Sequence, residues 1–446
     1  MGKSVFEKIW STHIVEELPG SNFLVFMDRI VAHEITTPQG AIEIDESFGG
    51  RLYSPSKIIA VNDHVSPAKD TDTAIQARVL RDWAKKHKIK LFDIGDNGIC
   101  HVVAPERGYV QPGMTLCCGD SHTGTNGAFG AFALGIGTTA QAGAMLAQCL
   151  ILNKPKTFSV LISGKLPPFV YAKDVILEII GRITFRGATG FVLEFAGSTV
   201  SNMSMEERMT LCNMSIEAGA TSGMVSPDEV TTDYLWGKEN ITKDKNEFEK
   251  LKIQWLSFAS DKDAKYDKEI SVDAASLKPK VTWGTNPGEV IDIDGIVPKD
   301  ADEKSLEYMG LKKQDMLLGL KMDQAFIGSC TNSRISDLRE AAKILKGKKV
   351  TIPTIITPGS QAVKRQAERE GLHDIFQDAG ALWTHSSCGP CLGMSMGVVP
   401  PKARCISSTN RNFPGRMGTG SRPHLASPAV VAASAVAGEI VHPKDL

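Results

Sequence analysis

Gly328-Ser329-Cys330-Thr331-Asn332-Ser333 and Ser387-Cys388-Gly389-Pro390-Cys391-Leu392-Gly393 are the two stretches on which the reading of this chain turns. The second carries a C-x-x-C, and the first sets one cysteine among hydroxyl and amide side chains. A fourth cysteine in matching surroundings is missing. Three thiolates can anchor three irons of a [4Fe–4S] cluster and leave the fourth without a protein ligand. An iron left open in this way can take substrate oxygen and act as a Lewis acid. The pattern therefore points to chemistry on a hydroxy acid rather than to electron transfer. A C-x-x-C alone also fits a zinc or redox pair, but zinc needs two further ligands at comparable spacing. Cys405, fourteen residues beyond Cys391, stays open as a ligand. Burial alone could account for Cys330; its Ser, Thr and Asn neighbours, able to donate hydrogen bonds to sulfur or substrate, weigh against that.

Just downstream runs Asn410-Arg411-Asn412-Phe413-Pro414-Gly415-Arg416. Guanidinium groups grip carboxylates with two parallel hydrogen bonds. Two of them five residues apart across a Pro-Gly turn suit a di- or tricarboxylate, where an ordinary surface loop would have no need of flanking amides.

Upstream, two loops place histidine beside a carboxylate directly after an apolar run. Asn62-Asp63-His64 follows Ile58-Ile59-Ala60-Val61, and Asp120-Ser121-His122 follows Leu116-Cys117-Cys118. In α/β proteins that strand edge is where ligands bind, and a carboxylate beside an imidazole suits general acid–base work. Asn213 and Glu217 lie four apart in Cys212-Asn213-Met214-Ser215-Ile216-Glu217-Ala218-Gly219, on one helix face ending at Gly219. The Met, Ile and Ala around Glu217 make that helix buried, so the carboxylate needs a partner.

The 446 residues allow two or three domains. Apolar residues are 42% and charged residues 23%, the composition of an ordinary globular protein. A net charge of −1 gives no basis for a nucleic-acid or acidic-membrane partner, so an anionic ligand must meet local cations. Nine cysteines without regular spacing argue against a disulfide framework and for a reducing compartment. Cys100, Cys117, Cys118, Cys149 and Cys212 read as core fillers. Met1 to Phe6 shows no apolar signal core, and Ala128 to Leu152 carries too many glycines for a membrane span. The expectation is a cytoplasmic chain.

Strands are expected at Val102–Ala104, Met114–Cys118, Phe158–Ile162, Ala325–Gly328 and Val350–Thr357. Helices are expected at Thr139–Leu152, Ala172–Ile183, Ile335–Leu345, Ser360–Glu370 and Pro428–Val441, with a solvated helix in Trp236–Lys268. This alternation gives an α/β class. The boundaries fall at 1–150 with the histidine loops, 151–322 with the charged helix, and 323–446 with the cysteines and arginines.

Together these segments resemble the aconitase superfamily, and within it the separate large subunits of two-subunit hydratases. Further resemblance lies in Thr37-Pro38-Gln39, Cys118-Gly119-Asp120-Ser121-His122-Thr123, Val281-Thr282-Trp283-Gly284-Thr285 and Arg422-Pro423-His424-Leu425-Ala426-Ser427-Pro428. The resemblance implies a three-domain iron–sulfur core without the swivelling domain. It implies a [4Fe–4S] cluster on Cys330, Cys388 and Cys391. Arg411 and Arg416 would hold substrate carboxylates, with Asn410 and Gln39 also at the substrate. His64, oriented by Asp63, would protonate the leaving hydroxyl, and His122, Asn213 and Glu217 would surround that oxygen. The implied reaction is reversible loss and addition of water on a small hydroxy diacid. Isopropylmalate in leucine biosynthesis is the preferred substrate; dimethylmaleate, citraconate and homoaconitate hydration are the alternatives. The swivelling domain and its proton-abstracting serine would sit on a separate small subunit. One departure stands out: relatives place Asp or Glu near position 140, where this chain has Ala140-Gln141.

Overall fold

Ile58-Ile59-Ala60-Val61 is apolar at every position, the pattern of a strand covered on both faces. In the computed structural model, which describes residues 2–446, all four are buried in one strand. It belongs to an all-parallel sheet in the order Lys90–Phe92, Ile58–Val61, Arg29–His33, Thr115–Cys118, Phe132–Gly135. The chain enters at the central strand Arg29–His33, builds one side, then returns to build the other. Ligands bind beyond the carboxyl ends of the strands at such a reversal. Glu34, Asp63-His64 and Asp120-Ser121-His122 all follow carboxyl ends of these strands.

This sheet lies in the first of two compact units, formed by the chain up to Gly164 and by Ala188–Val272. The same unit holds a four-stranded sheet, Ser222–Val225, Phe191–Ala196, Lys156–Ser163 and Lys268–Asp273, and an antiparallel one of Ile14–Leu18, Asn22–Phe26 and Cys149–Asn153. Its N-terminal helix Val5–His13 starts on a Ser4–Glu7 capping box. That helix drives Phe6 and Trp10 into the core against Phe132, at ring-centroid distances of 5.1 and 6.0 Å.

The second unit comprises Lys165–Gly187 and Asp273–Leu446. Its sheet is also all parallel, in the order Leu382–Trp383, Thr354–Ile356, Gln324–Ile327, Arg404–Ser407, Arg422–Leu425. The winding repeats that of the first unit: centre, one side, then the other. Here Gly328-Ser329-Cys330 and Ser408-Thr409-Asn410 leave the carboxyl ends at the reversal.

The helices Ala172–Ile183 and Ile335–Leu345 and the strand Lys156–Ser163 lie where the sequence predicts them. Val102–Ala104 does not form a strand; it lies inside the helix Cys100–Glu106. Three apolar residues in a row cannot separate a buried strand from a buried helix. The deciding contact is remote: the Cys100 N–H donates to Asp63 Oδ2 at 2.8 Å, where Ile99 offers no capping side chain. The helix expected over Thr139–Leu152 stops at Ala147, and Cys149–Asn153 is a strand. The break is at Gln148, in the left-handed conformation, whose carbonyl and side chain both bond the Met27 backbone. Within Trp236–Lys268 the main helix is Lys245–Leu256, anchored by buried Phe248 and Trp255. Among the described residues no helix is long and apolar enough to cross a membrane.

Candidate functional site

In the first unit, the loops after the strands converge on one carboxylate. Asp120 Oδ2 lies 3.4 Å from His64 Nε2, and its Oδ1 lies 3.2 Å from His101 Nε2 and 3.5 Å from His122 Nδ1. Asp120 also accepts the His122 backbone N–H at 2.6 Å. Asp63 Oδ2 stands 3.6 Å from His64 Nδ1, beyond hydrogen-bond reach, and acts on that ring through its charge. Glu34, fully buried, accepts the N–H groups of Asp63 and Val65 at 2.9 and 2.7 Å and so fixes the loop that carries His64. The His33 ring lies 4.9 Å from that of His64.

The electrostatics follow from this crowding. Burial opposes charge on His64, but Asp63, Asp120 and Glu34 outweigh it and raise its pKa to about 10. His101 is raised in the same sense: burial works against the cation, and Asp120 prevails. Asp120 is held well below the ordinary carboxylate range, since His101, His122 and His64 overcome the penalty of burial. His33 is raised against burial mainly by Cys118, and the Cys118 thiol is lowered against burial by Cys100 and His33.

His122 Nε2 meets Glu217 Oε1 at 2.9 Å with both side chains buried. The Asn213 amide donates to Thr125 Oγ1 at 2.8 Å, on the same turn as His122. The expected helix over Cys212–Gly219 is two pieces, Met205–Asn213 and a 3-10 turn Met214–Ala218 that closes on left-handed Gly219. Both pieces face the turn Ser121–Phe129. Where the chain enters that turn, Gly119 lies against Thr36: a Cβ there would be 2.1 Å from Thr36 Oγ1.

Gln39 is exposed in the helix Thr37–Ser47. Ala140 is exposed in the first turn of Thr138–Ala147. Its neighbour Gln141 is buried, donating to the Val31 carbonyl at 2.9 Å and accepting from Thr37 Oγ1 at 3.1 Å.

In the second unit, the cysteine and arginine stretches come together. Cys330, Cys388 and Cys391 are all buried. The Asn410 amide donates to Cys330 Sγ at 3.2 Å, and Cys391 Sγ lies 3.5 Å from Ser329 Oγ and 3.9 Å from Arg416 Nη2. The loop is held by Arg334, itself buried, which donates to the Cys330 and Thr331 carbonyls at 2.8 Å each. Ser329 takes a positive φ of 77°, unusual for a residue with a side chain. Arg411 lies over the Phe413 ring at 5.9 Å. Three buried thiols, two of them, Cys330 and Cys391, met by amide, hydroxyl or guanidinium donors, fit an iron–sulfur cluster, whose sulfurs take such donors. Cys405 lies elsewhere on the strand Arg404–Ser407, fully buried, its thiol raised by burial and directed to the Ile406 carbonyl.

Sequence reading missed His101, Glu34, Gln141 and the fixing role of Arg334. Only His101 left a local trace, a Cys-His pair after Gly98-Ile99. Cys100 and Cys118, read as core fillers, stand with His101 close enough to hold a metal ion, as do His33, Glu34 and His64.

Residues 7–438 match the Aconitase family (aconitate hydratase). A Geobacter sulfurreducens protein named 3-isopropylmalate dehydratase large subunit is 46% identical over 448 residues, covering 100% of this chain and 99% of its own. One of the same name from Oceanobacillus iheyensis is 44% identical over 456 residues, covering 98% and 97%. Among solved structures, Thermococcus kodakaraensis aconitase X (holo-form) is similar at TM-score 0.48 and 13% identity, over 87% of this chain and 84% of that one. On the family match and the two full-length relatives, the chain is a hydro-lyase of the aconitase family.

Proposed function

We propose that this chain is the large, catalytic subunit of an isopropylmalate dehydratase. It would interconvert 2- and 3-isopropylmalate by loss and return of water, in leucine biosynthesis. The observation that carries this reading is identity of 46% and 44%, over nearly the whole of both chains, to relatives bearing that name.

The roles follow from the two crevices. Cys330, Cys388 and Cys391 would hold a [4Fe–4S] cluster, which supplies a Lewis acid for a substrate hydroxyl and carboxylate. Arg411 and Arg416 bind carboxylates through their planar forks, with Asn410 and Gln39 as further polar contacts. His64 is protonated at neutral pH, which suits it to deliver a proton to a departing hydroxyl. Asp63 and Asp120 keep that proton in place. His122, Asn213 and Glu217 form a second polar wall, with the His122–Glu217 bond fixing the ring.

A small partner subunit is supported by the words "large subunit" in the relatives' names; it would carry the swivelling domain and the serine that removes the proton on carbon. The assembly would work in the cytoplasm. The divisions 1–150, 151–322 and 323–446 would be its three α/β domains.

The test is to purify the two-subunit assembly anaerobically and follow alkene absorbance on a panel of diacids. Turnover of 2-isopropylmalate with the highest kcat/KM is expected, and none by the large subunit alone. Preference for dimethylmaleate, citraconate or homoaconitate would overturn the substrate assignment, and full turnover by the single chain would overturn the partner.

A further inference from the structure

The helix Ala172–Ile183 carries a lysine that the reaction as described does not use. Lys173 is fully buried. Its Nζ donates to the Ser408 carbonyl at 3.0 Å and to the Thr409 carbonyl. A buried ammonium is costly unless hydrogen-bonded or paired with charge. The hydrogen bonds of this one go to two neutral carbonyls rather than to a carboxylate.

Those carbonyls immediately precede Asn410, whose amide donates to Cys330 Sγ, and Arg411. Burial lowers its pKa to about 7, and the charges that resist this and favour the ammonium are those of Cys391 first, then Asp174 and Cys330. Asp174 is engaged elsewhere, accepting the N–H groups of Tyr171 and Lys280 at 2.9 and 2.8 Å. The ammonium is thus clamped between the loop that feeds Asn410 and Arg411 and the electrostatic field of two cysteines.

We infer that Lys173 is a positioning residue with two coupled tasks: it holds the Ser408–Arg411 loop in register for substrate, and as the ammonium it offsets the negative charge of a cysteine-held iron–sulfur cluster. The inference rests on the iron–sulfur reading above. Its physical basis is that net charge and hydrogen bonding around a cluster set its reduction potential and its retention. A cation near the sulfurs stabilises the more negative, reduced state, so removing it makes reduction harder.

The experiment uses the two-subunit assembly with its cluster reconstituted anaerobically. Lys173→Gln keeps a donor and most of the volume but removes the charge; Lys173→Met removes both. Potentials are read by redox titration with electron paramagnetic resonance, and iron loss by the rate of transfer to a chelator. For Lys173→Gln the expected results are a more negative potential and iron loss several-fold faster than in the wild type. For Lys173→Met the KM for the diacid should also rise, roughly tenfold, the scale of a lost charged hydrogen bond. A merely structural lysine would lower the melting temperature while leaving the potential of the folded fraction unmoved. A Lys173→Gln assembly with wild-type potential and wild-type iron loss overturns the inference. Should Lys173→Met fail to fold, Lys173→Gln alone decides. A wild-type assembly without a cluster overturns the reading beneath, and is told apart because it appears before any variant is made.

Discussion

The two five-stranded parallel sheets are wound alike and charged in opposite ways. Each starts from a central strand, and each sends its functional loops out at the reversal beside it. In the first unit those loops deliver carboxylates against imidazoles, and His64 is raised to about 10. In the second they deliver thiols and arginines, and the helix Ala172–Ile183 adds a buried lysine. One histidine of that unit, His424 on the strand Arg422–Leu425, is lowered to about 3, because burial and the Arg404 guanidinium both oppose a second cation. Its Nδ1–H donates to the Thr282 carbonyl at 2.8 Å while Nε2 accepts from Arg404. One topology therefore gathers carboxylates and imidazoles in one place and thiols and guanidinium groups in the other. The difference lies entirely in which side chains follow the strands, and that is why fold alone does not reveal chemistry.

The comparison breaks most completely on the thiol side. Cys388→Ser should abolish cluster assembly, leaving activity below detection while the fold persists. Iron and sulfide analysis with circular dichroism checks this, and a serine variant with full iron would remove the premise. On the histidine side the largest effect is expected at Asp120, which faces three imidazoles. Asp120→Asn should lower kcat by about 10²- to 10⁴-fold, the range for a displaced general acid or base. It should also move the alkaline limb of the pH–rate profile downward, because His64 loses a charge that raises its pKa. A limb that stayed in place would mean that Asp120 does not govern the titrating group.

Arg411→Lys sharpens the guanidinium side. A lysine keeps the charge but loses the fork, so KM should rise by about ten- to a hundredfold on the scale of 1–3 kcal/mol for charged hydrogen bonds. Steady-state kinetics separates this from a fall in kcat; an unchanged KM would take carboxylate binding away from Arg411.

The histidines also pull stability in opposite directions with pH. His64 is raised in the folded state, so its contribution is complete below an ordinary imidazole pKa of 6.5 and fades as pH climbs toward about 10. His424 is lowered, so its contribution is present above 6.5 and is lost as pH falls toward about 3. Asp120→Asn should therefore flatten the fall in melting temperature between neutral pH and pH 10 while leaving the His424 limb in place. Calorimetry across that range would contradict the assignment if wild type and variant lost the same number of degrees.

Legibility followed distance along the chain. Cys330, Cys388, Cys391, Asp63, His64 and His122 sit in short local motifs directly after strands, so periodicity and turn residues expose them. Glu34 works through the 63–65 loop, 29 and 31 residues away, and Asp63 starts a helix 37 residues away. Lys173 reaches Ser408 across 235 residues. Such roles arise only once strand order is set, because adjacent strands here are separated by long crossovers and the two central strands pair out of sequence order. The same cause turned Val102–Ala104 from expected strand to helix: the cap that starts it is contributed by a different loop. Parallel sheets hide their sites in this way more than hairpins do, since every adjacency spans a crossover.

Position 140 gives the smallest expected effect and the sharpest check on how far resemblance can be carried residue by residue. The resemblance sets Asp or Glu near this position, where this chain has Ala140-Gln141. Ala140 instead lies exposed in the first turn of its helix, and the adjacent buried side chain, Gln141, already bonds Val31 and Thr37. A carboxylate at 140 would point to solvent near the positive end of the helix dipole, a favourable but small interaction. Ala140→Glu should leave kcat within about twofold and shift stability by no more than about 0.5 kcal/mol, in the stabilising direction. The isolated large subunit suffices for the stability measurement, by chemical denaturation, and the assembly for the kinetics. A large gain in turnover with no change in stability would mean that the exposed face at 140 is completed by the partner subunit. The acid–base crevice would then extend beyond the residues this chain supplies.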